Sequence, residues 1–176
     1  MDISVQTLRD AGLRAGDKVF LSGTVYTARD AAHKRLMQLL DDGASLPFAL
    51  PGAVIYYAGP TPAPPGRVIG SAGPTTSGRM DPFAPRLYAA GLCATVGKGG
   101  RSESVKAALR AYGGLYLCAV GGAGALLSGC ISSCEEIAFP ELGCESIKRL
   151  TVCRMPLLVA MDSAGDDLFA SAGLPH

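Results

Sequence analysis

The sequence lacks an excess of charge of either sign. Its 176 residues include 16 lysines and arginines against 15 aspartates and glutamates, for a formal net charge of +1. Because nucleic acids and anionic membranes attract strongly basic surfaces, the composition favours neither as a partner. Charged residues make up 18% of the chain and hydrophobic residues 48%, whereas about a quarter of a typical chain is charged. This balance predicts a well-buried protein, and the length suits a single domain, which we place at residues 1–176.

The sequence also lacks the patterns of a targeting segment and of a membrane span. Its first residues contain neither the basic nor the apolar region of a signal peptide, which predicts a cytoplasmic protein. Residues 115–134 carry no charge and approach the length of a membrane helix. Because glycines and serines interrupt this run, we expect a buried strand, a glycine turn and a short buried helix there instead.

No CxxC motif occurs among the cysteines, and Cys130-x-x-x-Cys134 is only a weak pattern for cluster ligands. Without a secretion signal, reduced thiols are expected rather than a disulfide framework. We predict buried, inert thiols, because free cysteine is among the most buried residue types. The six cysteines are Cys93, Cys118, Cys130, Cys134, Cys144 and Cys153.

Strand patterns and helix patterns alternate along the chain. Residues 18–26 are rich in β-branched and aromatic side chains and predict a strand in which Gly23 marks a bulge. Residues 27–40 give the strongest helix pattern, with Thr27 and Asp30 expected to form a capping box. The mixture predicts an α/β fold with a mixed sheet. Further helices are predicted at residues 80–90, in part, and 102–112, further strands at 53–57, 67–70, 93–96, 115–120, 137–139, 149–154 and 157–162, and a closing hairpin at 166–169.

The turn SAGPTTSGRMD at residues 71–81 is the most informative local pattern. Its Gly-Pro pair predicts a sharp turn between the strand at 67–70 and a helix that Ser77 is expected to cap. Backbone N–H groups at a helix N-terminus suit an anion. Arg79 opposes the helix dipole there, so it is not expected to stabilise the helix, and this stretch by itself leaves two interpretations: an arginine that binds an anionic ligand, or a solvated arginine beside an ordinary loop.

Three predicted strand-to-loop junctions each carry one cation, Arg29, Arg79 or Lys98, and the middle junction adds Thr75 and Thr76. If these junctions meet at one edge of the sheet, they form a pocket for a small polyanion. Two guanidiniums suit two carboxylates, because each binds a carboxylate in a two-point fork. The segment around the lysine does not match a nucleotide-binding phosphate loop, which needs a different glycine spacing and a following Ser or Thr.

Three segments together resemble signature segments of the class I, iron–sulfur fumarase family. They are TARDAAHKR at residues 27–35, GPTTSGRMD at residues 73–81 and GKGG at residues 97–100. The chain is similar to the C-terminal domain of that family, which is a separate β subunit in two-component fumarate hydratases and L-tartrate dehydratases. The fold that this resemblance implies is a swivelling β/β/α domain.

The resemblance implies a hydro-lyase that adds or removes water across the double bond of a small dicarboxylate. Fumarate/malate is the first expectation, with tartrate or mesaconate as alternatives. Members of the family hold a [4Fe-4S] cluster in their α part, where an open iron acts as a Lewis acid on the departing hydroxyl. The resemblance therefore implies that this chain binds no cluster and is active only with an α subunit, as an α₂β₂ assembly.

The resemblance also implies roles for individual residues. Thr75 matches the residue that takes the substrate proton, although orienting or relaying that proton is an alternative, and Lys98 is placed beside it in the catalytic group. Arg29 and Arg79 match the residues that bind the substrate carboxylates, and Thr76 matches another position of the pocket.

Two neighbouring residues are assigned less directly. His33 lies one helical turn after Arg29, on the same face, and is expected to position that arginine or to be a structural imidazole; Asp30 is a second uncertain member of the site.

A different class of function also fits the cations: a stand-alone carboxylate-binding or regulatory module without catalysis. A neighbouring reading frame that encodes a cysteine-bearing α chain would favour the enzyme.

Overall fold

The computed structural model describes residues 1–119 and 124–171, and within these ranges strands and helices are mixed along the chain. The strands are β1 (Asp2–Ser4), β2 (Lys18–Thr27), β3 (Val54–Tyr56), β4 (Ala94–Gly97), β5 (Leu115–Cys118), β6 (Ile131–Ala138) and β7 (Ile147–Met161). The helices are α1 (Asp30–Asp41), α2 (Ala84–Ala89), α3 (Glu103–Tyr112), α4 (Gly124–Gly129) and α5 (Leu168–Ser171), with 3₁₀ turns at Leu8–Asp10, Ser77–Met80 and Pro140–Glu145.

The described strands form one mixed sheet in the order β1-β2-β3-β4-β5-β7-β6. Strands β1 to β5 run parallel to one another, whereas β7 runs antiparallel to β2, β5 and β6. Because β7 pairs with both β2 and β5, the strands β2, β3, β4, β5 and β7 close into a ring. The predicted α/β fold with a mixed sheet is confirmed. The predicted domain bounds of 1–176 extend beyond the described residues and stay a prediction.

Side chains of the short parallel strands alternate between two hydrophobic clusters, as the two-residue period of a strand requires. Val54 and Tyr56 belong to one cluster, and Ile55 and Tyr57 belong to the other. The second cluster also contains Leu36 of α1, so it lies on the face that the helices cover. Since five strands enclose too little space for a helix, the first cluster fills the interior of the ring.

The parallel strands bring several loops to one edge of the sheet. Strands β2, β3 and β4 run in the same direction, so the chain leaves each of them at the same edge. Strand β2 leads into α1, and β3 leads into the segment that reaches the GPTT turn. Strand β4 leads into the loop that carries Lys98. We call residues 29–30, 75–81 and 97–101 the loop edge. The crevice beyond the carboxyl ends of the strands is where α/β sheets usually bind ligands.

The predicted helix caps are wrong. Helix α1 begins at Asp30, and Arg29 at its N-cap makes no side-chain cap hydrogen bond. The hydroxyl of Thr27 turns away from the helix and bonds with two backbone groups at the start of β7. Ser77 opens a 3₁₀ turn whose N-cap is Thr76, and α2 begins only seven residues later. Neither hydroxyl therefore caps an α-helix.

Residues 67–70 do not form the predicted strand. The segment instead closes a loop with the proline-rich connector that precedes it. The backbone N–H of Thr61 donates to the carbonyl of Ser71 at 3.1 Å, and that of Gly70 donates to the carbonyl of Thr61 at 3.2 Å. A Cβ atom at Gly70 would overlap Thr61, so glycine is needed for this close approach.

One long strand replaces the two that were predicted at residues 149–154 and 157–162. Strand β7 runs unbroken through Pro156, a residue type that usually interrupts a central strand. On one side of β7, the pairing with β6 ends at Val152 and the pairing with β5 begins at Leu158. Pro156 falls between these two partners, where the missing N–H is not needed by the sheet.

Other predicted elements are reproduced with modest changes. The bulge expected at Gly23 is present, since the register of β2 against β7 shifts between Leu21 and Gly23. The strand predicted at residues 137–139 begins earlier and is longer than expected, and it forms β6 (Ile131–Ala138). The closing hairpin is reduced to a single bridge between Met161 and Asp167, after which α5 begins.

The cysteines are less buried than predicted. All six are free thiols, but only Cys93 is buried, and Cys144 and Cys153 are exposed. Within the charge-free run, the strand and the helix are β5 and α4, and the glycine turn between them lies outside the described residues. Helix α4 is only partly buried, with Leu126 63% exposed. In the described parts of the chain, no helix has both the length and the hydropathy to cross a membrane.

Candidate functional site

Backbone hydrogen bonds join the loops that follow β3 and β4. The N–H of Thr75 donates to the carbonyl of Tyr57 at 2.7 Å, which attaches the GPTT turn to the end of β3. The N–H of Ser77 donates to the carbonyl of Lys98 at 2.9 Å, and Thr76 pairs with Lys98 through a parallel β-bridge. The structure therefore brings the two predicted threonines next to the predicted lysine.

Asp30 contacts both of the predicted arginines. Arg79 donates from Nε to Asp30 Oδ1 at 2.9 Å, and the Nε of Arg29 lies 3.9 Å from Asp30 Oδ2. The side chain of Arg79 is 52% exposed, whereas those of Arg29 and Asp30 are 22% and 26% exposed. Two guanidiniums from separate loops thus converge on one half-buried carboxylate.

Arg29 is packed between two neighbouring loops. Its Nη2 lies 3.6 Å from Glu145 Oε1. A Cβ atom at Gly59 would lie 2.9 Å from Arg29 Nη1, so glycine leaves the room that this guanidinium occupies. Glu145 also accepts a hydrogen bond from the N–H of Ala31 at 2.9 Å. This carboxylate caps the first turn of α1, which explains how the helix forms without the predicted capping box.

His33 is a buried, neutral side chain. Its ring stacks on Phe83 with centroids 5.6 Å apart and meets Tyr57 edge-on. Nδ1 lies 2.8 Å from the carbonyl of Arg29; because a carbonyl only accepts, we assign the proton to Nδ1. No partner for Nε2 is present among the described residues. Burial lowers the pKa of His33 from 6.5 to about 4, since the charged ring would lose its hydration.

Gly97 allows the two cationic loops to approach each other. A Cβ atom there would overlap Ser77 Oγ, so a larger residue would push the loops apart. Behind them, the Tyr116 hydroxyl donates to the carbonyl of Gly99 at 2.7 Å and lies 3.0 Å from Ser77 Oγ. Burial raises the pKa of Tyr116, which keeps the hydroxyl protonated as a donor. Lys98 remains exposed on the outer side of this packing.

Sequence reasoning missed three charged residues at or beside the loop edge. Arg101 and Asp81 form an ion pair at 2.6 Å, with side chains 0% and 12% exposed. A signal for them was available, because each stands at the end of one of the two motifs that meet here, GKGG and GPTTSGRMD. Glu145 gave no such signal, since it contacts Arg29 and Ala31 from far along the chain.

The loop edge keeps a positive balance. Arg29, Arg79, Lys98 and Arg101 contribute four positive charges, and Asp30, Asp81 and the adjoining Glu145 contribute three negative ones. Hydroxyls of two threonines lie among them. Such an edge can bind a small anion, with each charged hydrogen bond contributing about 1.5–3 kcal/mol.

The cysteines do not gather into a cluster-binding site. All of them lie within residues 1–119 and 124–171, where no group of three or more His, Cys, Asp or Glu side chains is arranged to hold a metal ion. Cys93 is buried next to β4, whereas Cys144 and Cys153 are exposed on other elements. An iron–sulfur cluster needs converging thiolates, so the cysteines of this chain do not fit one.

Comparisons with known proteins agree with the resemblance. A sequence profile described as "Fumarase C-terminus" matches residues 3–172. The chain is 41% identical over 154 residues to "Fumarate hydratase class I, aerobic" of Escherichia coli (strain K12), which covers 86% of this chain and 28% of that relative. It is 39% identical over 157 residues to "Fumarate hydratase 2" of Leishmania major, which covers 88% of this chain and 28% of that relative.

A further relative is matched over most of both chains. The "Putative L(+)-tartrate dehydratase subunit beta" of Methanocaldococcus jannaschii (strain ATCC 43067) is 39% identical over 163 residues, which covers 89% of this chain and 84% of that subunit. The chain therefore spans little more than a quarter of the fumarate hydratases named above, but most of the tartrate dehydratase subunit.

Proposed function

The chain belongs to the fumarase C-terminus family, and we propose that it is the β subunit of a hydro-lyase that reversibly adds water to a small dicarboxylate. Its relatives are named as fumarate hydratases and as a tartrate dehydratase subunit, which supports a lyase role for the family. Fumarate/malate is our first choice of substrate, with tartrate and mesaconate as the alternatives. A cytoplasmic location is part of the proposal.

The observation that carries this proposal is the carboxylate that the two arginines share. Asp30 engages the Nε of Arg79 at 2.9 Å and approaches the Nε of Arg29 at 3.9 Å. This contact orients Arg79 without using its terminal nitrogens, which form the outer edge of a rigid fork. That edge can bind a carboxylate through two parallel hydrogen bonds. Two guanidiniums that approach one carboxylate, with Arg79 hydrogen-bonded to it and Arg29 3.9 Å away, suit a ligand with two carboxylates.

The neighbouring residues suit the proton-transfer step. Removal of a proton beside a carboxylate leaves an aci-carboxylate with extra negative charge, which preplaced cations stabilise. We assign Thr75, half-buried in the GPTT turn, to take, orient or relay this proton. Lys98, which is bridged to Thr76, would stabilise the developing charge, and Thr76 would contact the substrate. His33 positions the backbone of Arg29 through its neutral ring.

We place the [4Fe-4S] cluster in a separate α subunit rather than in this chain. Two observations support this: the cysteines do not converge in the described ranges, and the relative matched over 84% of its length is named as a β subunit. The chain by itself is then inactive, and the active species is an αβ complex, for which we propose α₂β₂ stoichiometry.

Reconstitution with a cluster-bearing α subunit tests the proposal. The full chain is co-expressed anaerobically with the α subunit of a two-component relative, and hydration of fumarate, tartrate turnover and hydration of mesaconate are compared. We expect activity only in the pair, with fumarate giving the highest kcat/KM. In that pair, Arg79→Met should lower kcat/KM by about 10²-fold or more, because two charged hydrogen bonds of about 1.5–3 kcal/mol each are lost.

Arg149→Met is the matched control for Arg79→Met. The Arg149 side chain is 50% exposed, close to the 52% of Arg79, and it also pairs with one carboxylate, but it lies on β7. We expect this variant to keep full activity. A complex that binds dicarboxylates with Arg79-dependent affinity but turns none of them over would instead support the alternative, a carboxylate-binding or regulatory module.

A further inference from the structure

We propose that Arg101 and Asp81 form a positioning pair. The pair fixes the 3₁₀ turn that carries Arg79 and the loop that carries Lys98 in one relative position. The inference rests on the proposed function, because it gives these two residues a task in the same site. It goes beyond that function, since neither side chain is assigned to contact the substrate.

The contacts of Arg101 reach three different segments of the chain. Its Nε donates to Asp81 Oδ1 at 2.6 Å, its Nη1 donates to Thr95 Oγ1 at 3.0 Å, and its Nη2 donates to the Tyr57 hydroxyl at 3.3 Å. The guanidinium carbon lies 5.3 Å and 4.9 Å from the ring centroids of Tyr57 and Tyr116. Three hydrogen bonds and two aromatic faces leave this side chain a single orientation.

Asp81 uses both of its oxygens at the junction of the two loops. Oδ1 accepts from Arg101, and Oδ2 accepts from the backbone N–H of Ser102 at 2.6 Å. Asp81 stands two residues after Arg79, and Arg101 stands three residues after Lys98. The pair therefore links the segment that carries Arg79 to the segment that carries Lys98.

The same network reaches the proposed proton-transfer residue. Tyr57, whose hydroxyl accepts from Arg101, receives through its carbonyl the hydrogen bond from the N–H of Thr75. Displacement of Arg101 would release one end of Tyr57 and one end of Asp81 together. A shift of about 1 Å in such groups can lower turnover by about 10²-fold.

Stability alone does not explain a charge pair at this place. Replacing a buried ion pair by apolar residues of similar volume is often neutral for stability or even stabilising, whereas removing one partner is costly. The N–H of Ser102 could be capped by an uncharged side chain. An apolar pair cannot supply the directional hydrogen bonds of a forked guanidinium. Two substrate-binding loops need such bonds to keep one relative orientation.

The double variant Arg101→Met/Asp81→Leu separates positioning from stability. In the αβ complex we expect kcat to fall by about 10²-fold, with a much smaller rise of KM and a melting temperature close to that of the unmodified protein. Arg101→Lys, which keeps the charge but not the fork, should recover only part of kcat. A double variant with kcat within threefold of the original would overturn the inference.

Lys106→Met provides the matched control. Lys106 is another buried cation of the same region, paired at 2.7 Å with Asp167 and at 2.8 Å with Glu103, but its partners lie outside the loop edge. We expect this variant to lose stability and to keep kcat. An equal loss of kcat in Lys106→Met would show that disturbing any buried cation near α3 slows the enzyme, which would also overturn the inference.

Hydrogen exchange of the full chain without its partner tests the pair independently of catalysis. In the double variant, amides of residues 77–81 and 98–102 should exchange faster than in the original protein and in Lys106→Met, because their mutual anchor is lost. Unchanged exchange in both segments would overturn the inference. If the unmodified complex shows no turnover at all, the proposed function fails, and the exchange result still decides whether the pair holds the two loops together.

Discussion

The loop edge and the ribbon formed by β6 and β7 (residues 131–138 and 147–152) both carry arginine–carboxylate pairs, but they surround them differently. In the ribbon, Arg149 and Glu135 lie 2.5 Å apart with side chains 50% and 60% exposed. At the loop edge, Arg79 and Asp30 lie 2.9 Å apart, but Asp30 is only 26% exposed and also faces a second arginine. The shorter distance therefore belongs to the pair without a proposed role.

Hydration accounts for the difference between the two regions. In an exposed ion pair each charged group gives up hydrating water for its partner, so the net gain in folding stability is small. Such pairs typically contribute about 0–1 kcal/mol to stability. A carboxylate that has lost part of its water depends on the cations around it and in turn orients them. Convergence and burial, rather than distance, distinguish the loop edge. The following substitutions test that distinction, in order of decreasing effect.

Thr75→Ala should produce the largest effect. In the αβ complex we expect kcat to fall by about 10²–10⁴-fold, the usual contribution of a group that transfers a proton. Thr151→Ala is the control, because Thr151 is an exposed ribbon threonine whose hydroxyl accepts a hydrogen bond from the Ser133 hydroxyl on the neighbouring strand β6. The rate of fumarate consumption measures both. Near-normal kcat in Thr75→Ala would remove Thr75 from the mechanism, and full recovery in Thr75→Ser would show that the hydroxyl is the required group.

His33 should make the loop-edge side of the molecule sensitive to acid. Its pKa in the folded protein is about 4, below the ordinary 6.5, because burial disfavours the charged ring. Between these two values the unfolded chain binds a proton that the folded chain does not, so stability falls as the pH falls. The loss should approach about 3 kcal/mol near pH 4.

Urea unfolding from pH 7.5 to pH 4.5 measures this effect as the difference between the original protein and His33→Asn. Asparagine can still donate to the carbonyl of Arg29 but does not titrate in this range. We expect the variant to lose less stability than the original protein on acidification. Parallel pH profiles for the two proteins would mean that His33 is hydrated or paired in solution, and the contrast between a buried loop edge and an exposed ribbon would weaken.

Asp30→Asn should have a moderate effect that separates orientation from charge. The amide oxygen can still accept from Arg79, but a neutral acceptor is weaker than a carboxylate by about 1 kcal/mol. We expect kcat to fall by about fivefold, while KM does not rise, because a negative charge near the dianionic substrate is removed. Unchanged kcat and KM in Asp30→Asn would show that Asp30 does not orient the arginines for catalysis.

Local patterns predicted the parts of this site that lie within single loops. The residues after β2, β3 and β4 could be recognised because cations and threonines stand beside glycine turns in three compact motifs. The structure then places these motifs at one edge, as expected for parallel strands. Their roles stay proposals.

Long-range contacts account for what local patterns missed. Glu145 caps α1 across more than a hundred residues, and no pattern near Thr27 indicates that its hydroxyl will bond to β7 instead of the helix. The apolar run at 67–70 looked like a strand, but the N–H of its last residue donates to the carbonyl of Thr61 in the preceding connector. In each case a partner from outside the local segment replaces the predicted local contact, and that partner is brought near only when the chain folds.

Arg149→Ala should have the smallest effect, and it is the most direct challenge to the comparison. Arg149 and Glu135 are opposite each other across β7 and β6, and an exposed cross-strand charge pair of this kind contributes only a small amount to stability. We expect the free energy of unfolding to fall by no more than that, the loss to shrink further in high salt, and kcat to be unchanged. Chemical denaturation at low and high ionic strength, together with turnover of the complex, measures both. A marked loss of turnover would mean that the ribbon contacts the partner or transmits strain to the loop edge, and exposure would then no longer separate the two kinds of arginine.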